Sequence, residues 1–334
     1  MKDGAQVLVF ANVKGGVTKT TTVLTTAMML HLLGARVLVV DADPQGNTTD
    51  GLGYTGGALT HTLYTLMMGK STLEQALKRT FFNRTTRVFY DPTDDEERQQ
   101  LELDFQEKQA VRGPDLLPNN LRSAAAENEL LPHPAWGSLI RGILHPLAPL
   151  YDFVIIDTNP GLGKLTVNSF LAADYIVIPS IPERWPTDGI SLLCGTIANA
   201  RDQNKALTVL GILFTRVRYA EHRRHMEHVQ QAILPQINKA FPWMNLTCFE
   251  TYINETANFS KITNERSNYV LALVNDPISI MYWGYLAELL RKMGSPFFEK
   301  AFTMYQQLVT EYKAEQALQE KRKQQRAETG GEKR

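Results

Sequence analysis

The chain has 334 residues, 43% of them apolar, with 35 basic and 35 acidic side chains and hence a net charge of zero. That is material for one large α/β domain or two small ones, and it excludes only the disordered classes; balanced charge argues neither for nor against nucleic acid. No apolar run approaches the roughly eighteen residues of a membrane span, and the first apolar stretch starts a few residues after Met1. Neither a span nor a signal peptide is therefore expected, and the protein is expected to be cytoplasmic. Cys194 and Cys248 lack CxxC spacing and read as small buried apolar residues, not as a disulfide or metal framework.

Gln6 to Ala11 predicts a strand, and a helical pattern runs to Leu33; between them lies Lys14-Gly15-Gly16-Val17-Thr18-Lys19-Thr20-Thr21. At a junction of strand, glycine loop and helix the backbone N–H groups converge on one point, where a phosphate can replace the missing intrahelical acceptors. Lys19 is placed to reach β- and γ-phosphates, and the Thr20 hydroxyl to ligate Mg²⁺. The usual GxxxxGK[ST] spacing fails, because Val13 and Thr18 stand where its glycines belong. The form that fits is KGGxxK[ST], with the extra lysine at Lys14; a Gly-rich turn between buried elements is the plain alternative. Gly34 then ends the turn and Arg36 to Val40 predicts a second strand, closing on Asp41-Ala42-Asp43-Pro44-Gln45-Gly46-Asn47. Strand, helix and strand form a right-handed βαβ unit with parallel strands, so Asp41 and Asp43 fall at the carboxyl edge beside the loop, where open α/β sheets bind ligands. A turn capped by Asp-x-Asp-Pro is the competing reading.

Further on, Thr60 to Met68 reads as a helix, and Ser71-Thr72-Leu73-Glu74 as a capping box opening another through Lys78. Thr86 to Tyr90 suggests a strand. Asp91, Asp94, Asp95, Glu96, Glu97, Glu102, Asp104 and Glu107 then crowd one stretch, which reads as a solvated insertion, helical or disordered. Asp115 to Pro118 resumes the sheet, and Leu121 to Leu131 predicts a helix stopped by Pro132 and Pro134. Tyr151 to Asp157 is so continuously apolar that it should be a central strand buried on both faces, and its terminal Asp157 precedes Thr158-Asn159-Pro160-Gly161, a Walker B arrangement for holding Mg²⁺. Tyr175 to Pro179 and Thr208 to Phe214 predict two more buried strands around a helix at Asp188 to Ala200, and Thr247 to Thr251 a short last one. Ile278 to Met293 is amphipathic, and Phe302, Tyr305, Leu308, Val309 and Tyr312 recur at helical spacing, a stripe suited to docking on the protein's own core or a twin subunit. From Lys321 the chain is polar and basic.

KGGVTKTT, VVDADPQGNTT and VIIDTNPGLG, in this order and spacing, resemble the phosphate loop, switch I and Walker B of the ParA/MinD family of deviant Walker ATPases, most closely its ParA-type partition ATPases. The resemblance runs from about Gln6 to Met293. It implies an α/β fold, a mostly parallel twisted sheet flanked by helices in the P-loop NTPase manner, with a helical C-terminal extension. It also implies an ATPase domain over 1–293, carrying the acidic insertion at about 91–113, and an extension over 294–334 with a basic tail. ATP and Mg²⁺ are the implied cofactors. Gly15 to Thr21 would hold the nucleotide, Lys14 would reach across a nucleotide-sandwich homodimer, Lys19 and Thr20 would act within the subunit, Asp43 would orient the attacking water and Asp157 would organise Mg²⁺. Asp41 matches the pattern without a clear role. Thr18 replaces a glycine, a costly change if φ there is positive, Asn159 replaces a common proline, and no winged helix is expected before the loop.

What this implies is an ATP-dependent partition or positioning ATPase that is nucleoid-associated, binds DNA without sequence preference, and works with a ParB-like stimulating partner. Candidate DNA contacts are Arg216, Arg218, Arg223 and Arg224 after a strand, Lys261 and Arg266 in a region resembling the family's DNA-contacting segment, and Lys321, Arg322, Lys323 and Arg326 in the tail. A MinD-like membrane regulator is the first alternative, but Glu320 to Arg334 lacks the large apolar residues such a helix needs, so no membrane partner is expected. A reductase-like ATPase would need cluster cysteines after the switches, where Cys194 and Cys248 do not lie. A stand-alone metabolic ATPase stays open.

Overall fold

Strands buried on both faces need apolar residues at successive positions, and β1 (Gln6–Phe10), β2 (Val37–Ala42), β5 (Phe153–Thr158) and β6 (Tyr175–Ser180) supply them. In the computed structural model, which describes residues 4–85, 88–129, 135–183, 187–218, 220–255 and 277–330, these strands join β3 (Lys78–Asn83), β4 (Ala110–Leu117) and β7 (Thr208–Phe214). The seven form one sheet in the order β3-β4-β2-β5-β1-β6-β7. Every neighbouring pair is parallel except β3 with β4. The strand ending in Asp157 is the middle one, as its uninterrupted apolar run requires.

Successive side chains of a strand point to opposite faces, so each central strand feeds two cores. Val7 and Val9 of β1, with Val154 and Ile156 of β5, pack into the first, while Leu8 and Phe10, with Phe153 and Ile155, pack into the second. The first core is closed by α7 (Leu139–Leu144), α8 (Lys164–Ala172) and α9 (Thr187–Gln203), through residues such as Ile140, Phe170 and Ile197. The second is closed by α1 (Lys19–Leu32), α12 (Pro277–Met293) and α13 (Phe298–Gly330), through Val23, Met28, Tyr282, Leu286 and Ala301. Shorter helices lie on the connections: α2 (Asn47–Gly51), α3 (Leu63–Met67), α4 (Leu73–Ala76), α5 (Asp95–Gln106), α6 (Ala126–Glu129), α10 (Ala220–His228) and α11 (Leu234–Ala240). Among the described residues no helix is long and apolar enough to cross a membrane.

Several elements differ from the sequence reading, each for a local reason. The capping box expected at Ser71 sits one residue later: the Thr72 hydroxyl caps Gln75 N, and the Gln75 side chain accepts from Thr72 N at 2.9 Å. Its helix stops at Ala76, because Lys78 to Asn83 buries Thr80 and Phe82 and pairs antiparallel with β4 as the sheet edge. Of the expected strand at Thr86 to Tyr90, Thr86 and Arg87 lie outside the described residues, and Phe89 makes an isolated bridge to Phe82. The acidic stretch is not simply solvated. Asp94 caps α5, Leu101 and Asp104 are buried, Asp104 accepts from Tyr90 and Asn83, and Phe105 meets Phe81 edge-on at 5.7 Å. Its last residues, from Ala110, already belong to β4.

The expected helix from Leu121 opens as a 3₁₀ turn over Leu121–Ala125 and becomes α-helical only at Ala126; Leu130 to Pro134 lie outside the described residues. Thr247 to Thr251 is not a strand but a segment laid along β7, with Ile212 N bonded to Thr247 O and Phe249 N to Ile212 O, both at 2.9 Å. Only glycine fits opposite it, because a Cβ on Gly211 would lie 2.7 Å from Thr247 O. Of the C-terminal stripe, Tyr305 and Leu308 pack on the second core while Phe302 stays exposed. Cys194 is buried in the first core, which pushes its thiol up to about 12, whereas Cys248 is half-buried.

Because Ile155 is fully buried at the centre of the sheet, Ile155→Ala should cost about 2–5 kcal/mol. Leu192→Ala on the outer face of α9, where Leu192 is 62% exposed, should stay within about 0.5 kcal/mol. Urea unfolding of both variants checks this, and equal losses would contradict the two-core architecture.

Candidate nucleotide site

Three strands carry the site. β1 and β2 both flank β5, in a register that places Phe10 and Asp41 on either side of Asp157. The loops after all three therefore open on one edge of the sheet, at the point where the chain has crossed over β5. The loop after β1 is pinned from its other side. Asn12 Nδ2 donates to Pro179 O at 2.7 Å, Asn12 Oδ1 accepts from Lys14 N at 3.0 Å, and the Thr215 hydroxyl after β7 donates to Val17 O at 3.3 Å. Gly16 and Thr18 take left-handed conformations, with φ of 72° and 61°, and such residues turn successive N–H groups toward a common point. The strain anticipated at Thr18 is thus present, on the residue that precedes α1.

These loops enclose a cavity of about 390 Å³ lined by Gly15 to Thr21, Asp43, Gln45, Asn47, Pro160, Arg216 and Glu255. Lys19 is buried to 7% exposure; burial pushes its pKa down, and the charges of Asp157 and Asp43 act against that. Asp157 Oδ2 accepts hydrogen bonds from the Thr20 and Thr48 hydroxyls, both at 2.7 Å, while its Oδ1 is buried with no hydrogen-bond partner among the described residues. Burial pushes the Asp157 carboxyl up to about 6. Asp41, fully buried beside it, is pushed up to about 8 by burial and then by the charge of Asp157. Asp43 is nearly buried and accepts from Gln45 N at 2.9 Å.

Two buried carboxyl groups, Asp157 and Asp43, thus act on one buried ammonium, with Asp41 buried beside Asp157, and one Asp157 oxygen has no partner among the described residues. An arrangement of this kind calls for a cation with hard oxygen ligands. Thr20 and Asp157, the expected pair, are the residues that would hold Mg²⁺, and Thr48 joins them. Nothing in the linear pattern distinguished Thr48 from Thr49. Asp41, whose role the sequence left open, ties the second loop down: its Oδ1 accepts from Asp43 N at 3.0 Å and its Oδ2 from Thr49 N and Oγ1 at 2.9 and 2.7 Å, while Asn119 N donates to Thr49 Oγ1 at 3.0 Å.

The remaining candidates are dispersed. Lys14 is not among the cavity-lining residues; its ammonium, on a 44% exposed side chain, pairs with Glu183 at 2.6 Å. Arg216 and Arg218, expected to face DNA, both pair with the buried Glu255, and Arg216 lines the nucleotide cavity. Arg223 and Arg224 are exposed on α10, and Lys321 and Arg322 are exposed on α13. Lys323 and Arg326 continue α13, but their side chains, like the whole of Lys261 and Arg266, lie outside the described residues. The place of Glu255 at the site had no signal in the sequence.

Relief of left-handed strain, roughly 1–2 kcal/mol for an L-residue, exceeds the roughly 0.5–1 kcal/mol that glycine loses in chain entropy. Thr18→Gly should therefore raise stability by up to about 1 kcal/mol; a lowered thermal midpoint would contradict this account of the loop.

The family described as an AAA domain matches residues 5–209. An uncharacterized protein of Mycobacterium tuberculosis is 33% identical over 213 residues, which is 64% of this chain but only 58% of that protein's length. Soj, a sporulation initiation inhibitor protein of Bacillus subtilis, is 30% identical over 211 residues, covering 63% of this chain and 72% of Soj. Among solved structures, cobyrinic acid a,c-diamide synthase from Mycobacterium smegmatis with bound ADP and magnesium aligns with a TM-score of 0.63 at 27% identity, covering 87% of this chain and 96% of the other. The glycine loop, the paired aspartates at the end of β2, the carboxylate at the tip of β5 and these relatives agree, and the chain belongs to the ParA/MinD family of P-loop ATPases.

Proposed function

We propose that this protein is an ATP-dependent partition or positioning ATPase that forms a nucleotide-sandwich homodimer, binds duplex DNA through its phosphates, and hydrolyses ATP when a ParB-like adaptor stimulates it. ATP and Mg²⁺ are its cofactors, in keeping with the nucleotide and magnesium held by the synthase and with the Asp157 oxygen that has no partner among the described residues. Cytoplasmic, nucleoid-associated localisation follows from this reading. The observation that carries the dimer is Lys14. Its ammonium stands outside the cavity of its own subunit, on an exposed ion pair with Glu183. Such a pair contributes at most about 1 kcal/mol and can be exchanged for a partner's phosphates.

Within one subunit, the amides of Gly15 to Thr21 and the buried Lys19 would receive the β- and γ-phosphates, and Thr20, Thr48 and Asp157 would hold Mg²⁺. The metal supplies charge neutralisation on the phosphate oxygens. Asp43, kept in place by Gln45 N and by the anchoring of its own N–H on Asp41, orients the attacking water. Phosphoryl transfer of this kind needs positioning and charge stabilisation and no covalent enzyme intermediate. Duplex contacts fall to Arg223 and Arg224 on α10 and to Lys321 and Arg322 on α13, because Arg216 and Arg218 are paired with Glu255. A few such charges bind weakly in a monomer; a dimer doubles them on one surface, which makes DNA binding depend on ATP.

Likeness to the synthase favours a second reading, a stand-alone ATPase acting on a small molecule. Asp43→Ala separates the two, since it should trap the ATP-bound dimer by leaving Mg²⁺–ATP assembled while slowing its cleavage. Light scattering should show a persistent dimer with ATP. Titration of unrelated duplexes should give ATP-dependent, sequence-insensitive binding with a log–log salt slope of about −0.9 per neutralised phosphate. Equal affinity with ATP and ADP, or no binding at low salt, would return the small-molecule reading to first place. For Lys14→Ala we expect retained ATP binding and lost hydrolysis; intact single-turnover hydrolysis would remove the role across the dimer.

A further inference from the structure

At the amino ends of β2 and β5, the opposite end of these strands from the nucleotide loops, lies a second cavity of about 500 Å³. Arg36, Arg79 and Arg112 line it with Leu77 and Leu150, and Asp115 is the one acidic residue in its wall. Two of the three guanidinium groups are engaged. Arg36 Nε and Nη2 donate to Asp152, and Arg112 Nη2 donates to both oxygens of Asp115, at 2.7 and 2.9 Å. Asp115 also accepts from the Tyr151 hydroxyl at 2.8 Å, and Arg79, opposite Asp115 in the β3–β4 ladder, makes no ion pair among the described residues. His31 lines the cavity too, but burial pushes its pKa down, so it adds no charge at neutral pH. Three guanidinium groups against Asp115 and Asp152 leave the Arg79 charge uncompensated, beside a Leu150 that is 56% exposed.

The same edge carries the complement. From Asp94 to Lys108 the chain has seven carboxylates against only Arg98 and Lys108, and Arg98 pairs with Asp95 at 3.3 Å. Glu96, Glu102 and Glu107 are exposed and make no ion pair among the described residues. Glu96, Leu103 and the capping residue Glu107 fall on one face of α5, where Leu103 is 54% exposed. The ladder sets this helix beside the groove, because Phe105 meets Phe81 edge-on and Phe81 stands opposite Arg112. Within one chain the acidic face cannot turn into the groove, since Leu101 and Phe105 hold α5 by its other side. Neighbouring patches of opposite charge that cannot meet within a chain can meet across a two-fold axis, each on the other copy's counterpart. We propose that this edge is a self-complementary interface between two copies of the chain, with the acidic face of α5 in each lying over Arg79 and Arg112 of the other and Leu103 set against Leu150. A purely acidic occupant of the groove, duplex DNA included, is repelled by the α5 beside it, whereas a second copy brings its own arginines to that helix. The contact lies away from the nucleotide loops, so it is independent of ATP and of the nucleotide-sandwich dimer.

Sedimentation velocity of the full chain without nucleotide tests the proposal, and Lys14→Ala should leave the result unchanged. At low salt and micromolar concentration a dimer should form, and it should weaken as salt rises, because its rim charges are screened. Arg79→Glu in the groove, and Glu96→Lys combined with Glu107→Lys on the helix, should each weaken the dimer on the order of tenfold or more. Leu103→Ala should weaken it as well, by an amount that salt does not change. An equimolar mixture of the groove variant and the helix variant should restore the dimer, since the reversed groove of one meets the reversed helix of the other. That restoration cannot come from misfolding of either variant. A chain that stays monomeric at low salt, a dimer indifferent to both reversals, or two reversals that fail to restore association when mixed would each overturn the proposal. So would an Arg79→Glu chain that keeps its dimer and loses duplex binding, which would make the groove a DNA surface.

Discussion

Asp157 is the constraint on which the rest depends. It lies at the carboxyl end of the middle strand of the sheet, is fully buried, and has one oxygen on two threonine hydroxyls and the other on none among the described residues. A buried carboxylate is tolerated only when paired and hydrogen-bonded. The two hydroxyls come from different elements, Thr20 at the start of α1 and Thr48 in α2, so satisfying this one group aligns the phosphate loop with the switch segment. Asp41 repeats the device one strand away, anchoring Asp43 N and Thr49 and, through Thr49, the end of β4. The chain thus concentrates negative charge where Lys19 is the only buried cation among the lining residues, and a divalent cation completes the balance.

Such a site is held by the packing beneath it. Thr18 and Arg216 keep left-handed conformations because their neighbours over-determine them: Val17 is tied to Thr215, and Val217 is paired with the segment before Glu255. That segment is secured in turn by Glu288 of α12, which accepts from Glu250 N at 2.9 Å and Thr251 N at 3.0 Å. A helix of the second core therefore reaches the nucleotide wall through three short links. At the far edge, the outer side of β3 is met by the segment Val88 to Tyr90, with Asn83 N bonded to Val88 O and Tyr90 N to Phe81 O, and the acidic α5 packs beside it through Phe105 and Leu101. The cluster of acidic residues is the polar face of an edge cover.

A ParA-like fold does not name a cargo, and the relatives cover only part of this chain and of themselves. What distinguishes this chain is how its cations are arranged. Lys14 stands outside its own cavity, Arg216 and Arg218 converge on one glutamate, and the exposed arginines lie on α10, just beyond them in the chain. With net charge zero, any attraction to a polyanion must come from local grouping of this sort.

The central sheet, the glycine loop and the carboxylates at the tips of β2 and β5 were legible in the sequence because each is local: an apolar run, a glycine pair, an aspartate at a strand's end. Tyr175 to Pro179 and Thr208 to Phe214 were legible for the same reason. Edge elements were not. Lys78 to Asn83 has a mixed pattern that only pairing with β4 resolves into a strand, and Thr247 to Thr251 has a strand's composition but lies beside a bulged β7 with little ladder to join. Roles set by partners distant in the chain were equally hidden. Thr48 finds Asp157 across 109 residues, and Arg216 finds Glu255 across 39. Sequence determines which side chains carry charge and which strands are buried; only tertiary contact decides which charges meet, because a buried ion pair is selected by desolvation, a property of the packed neighbourhood and not of the residue.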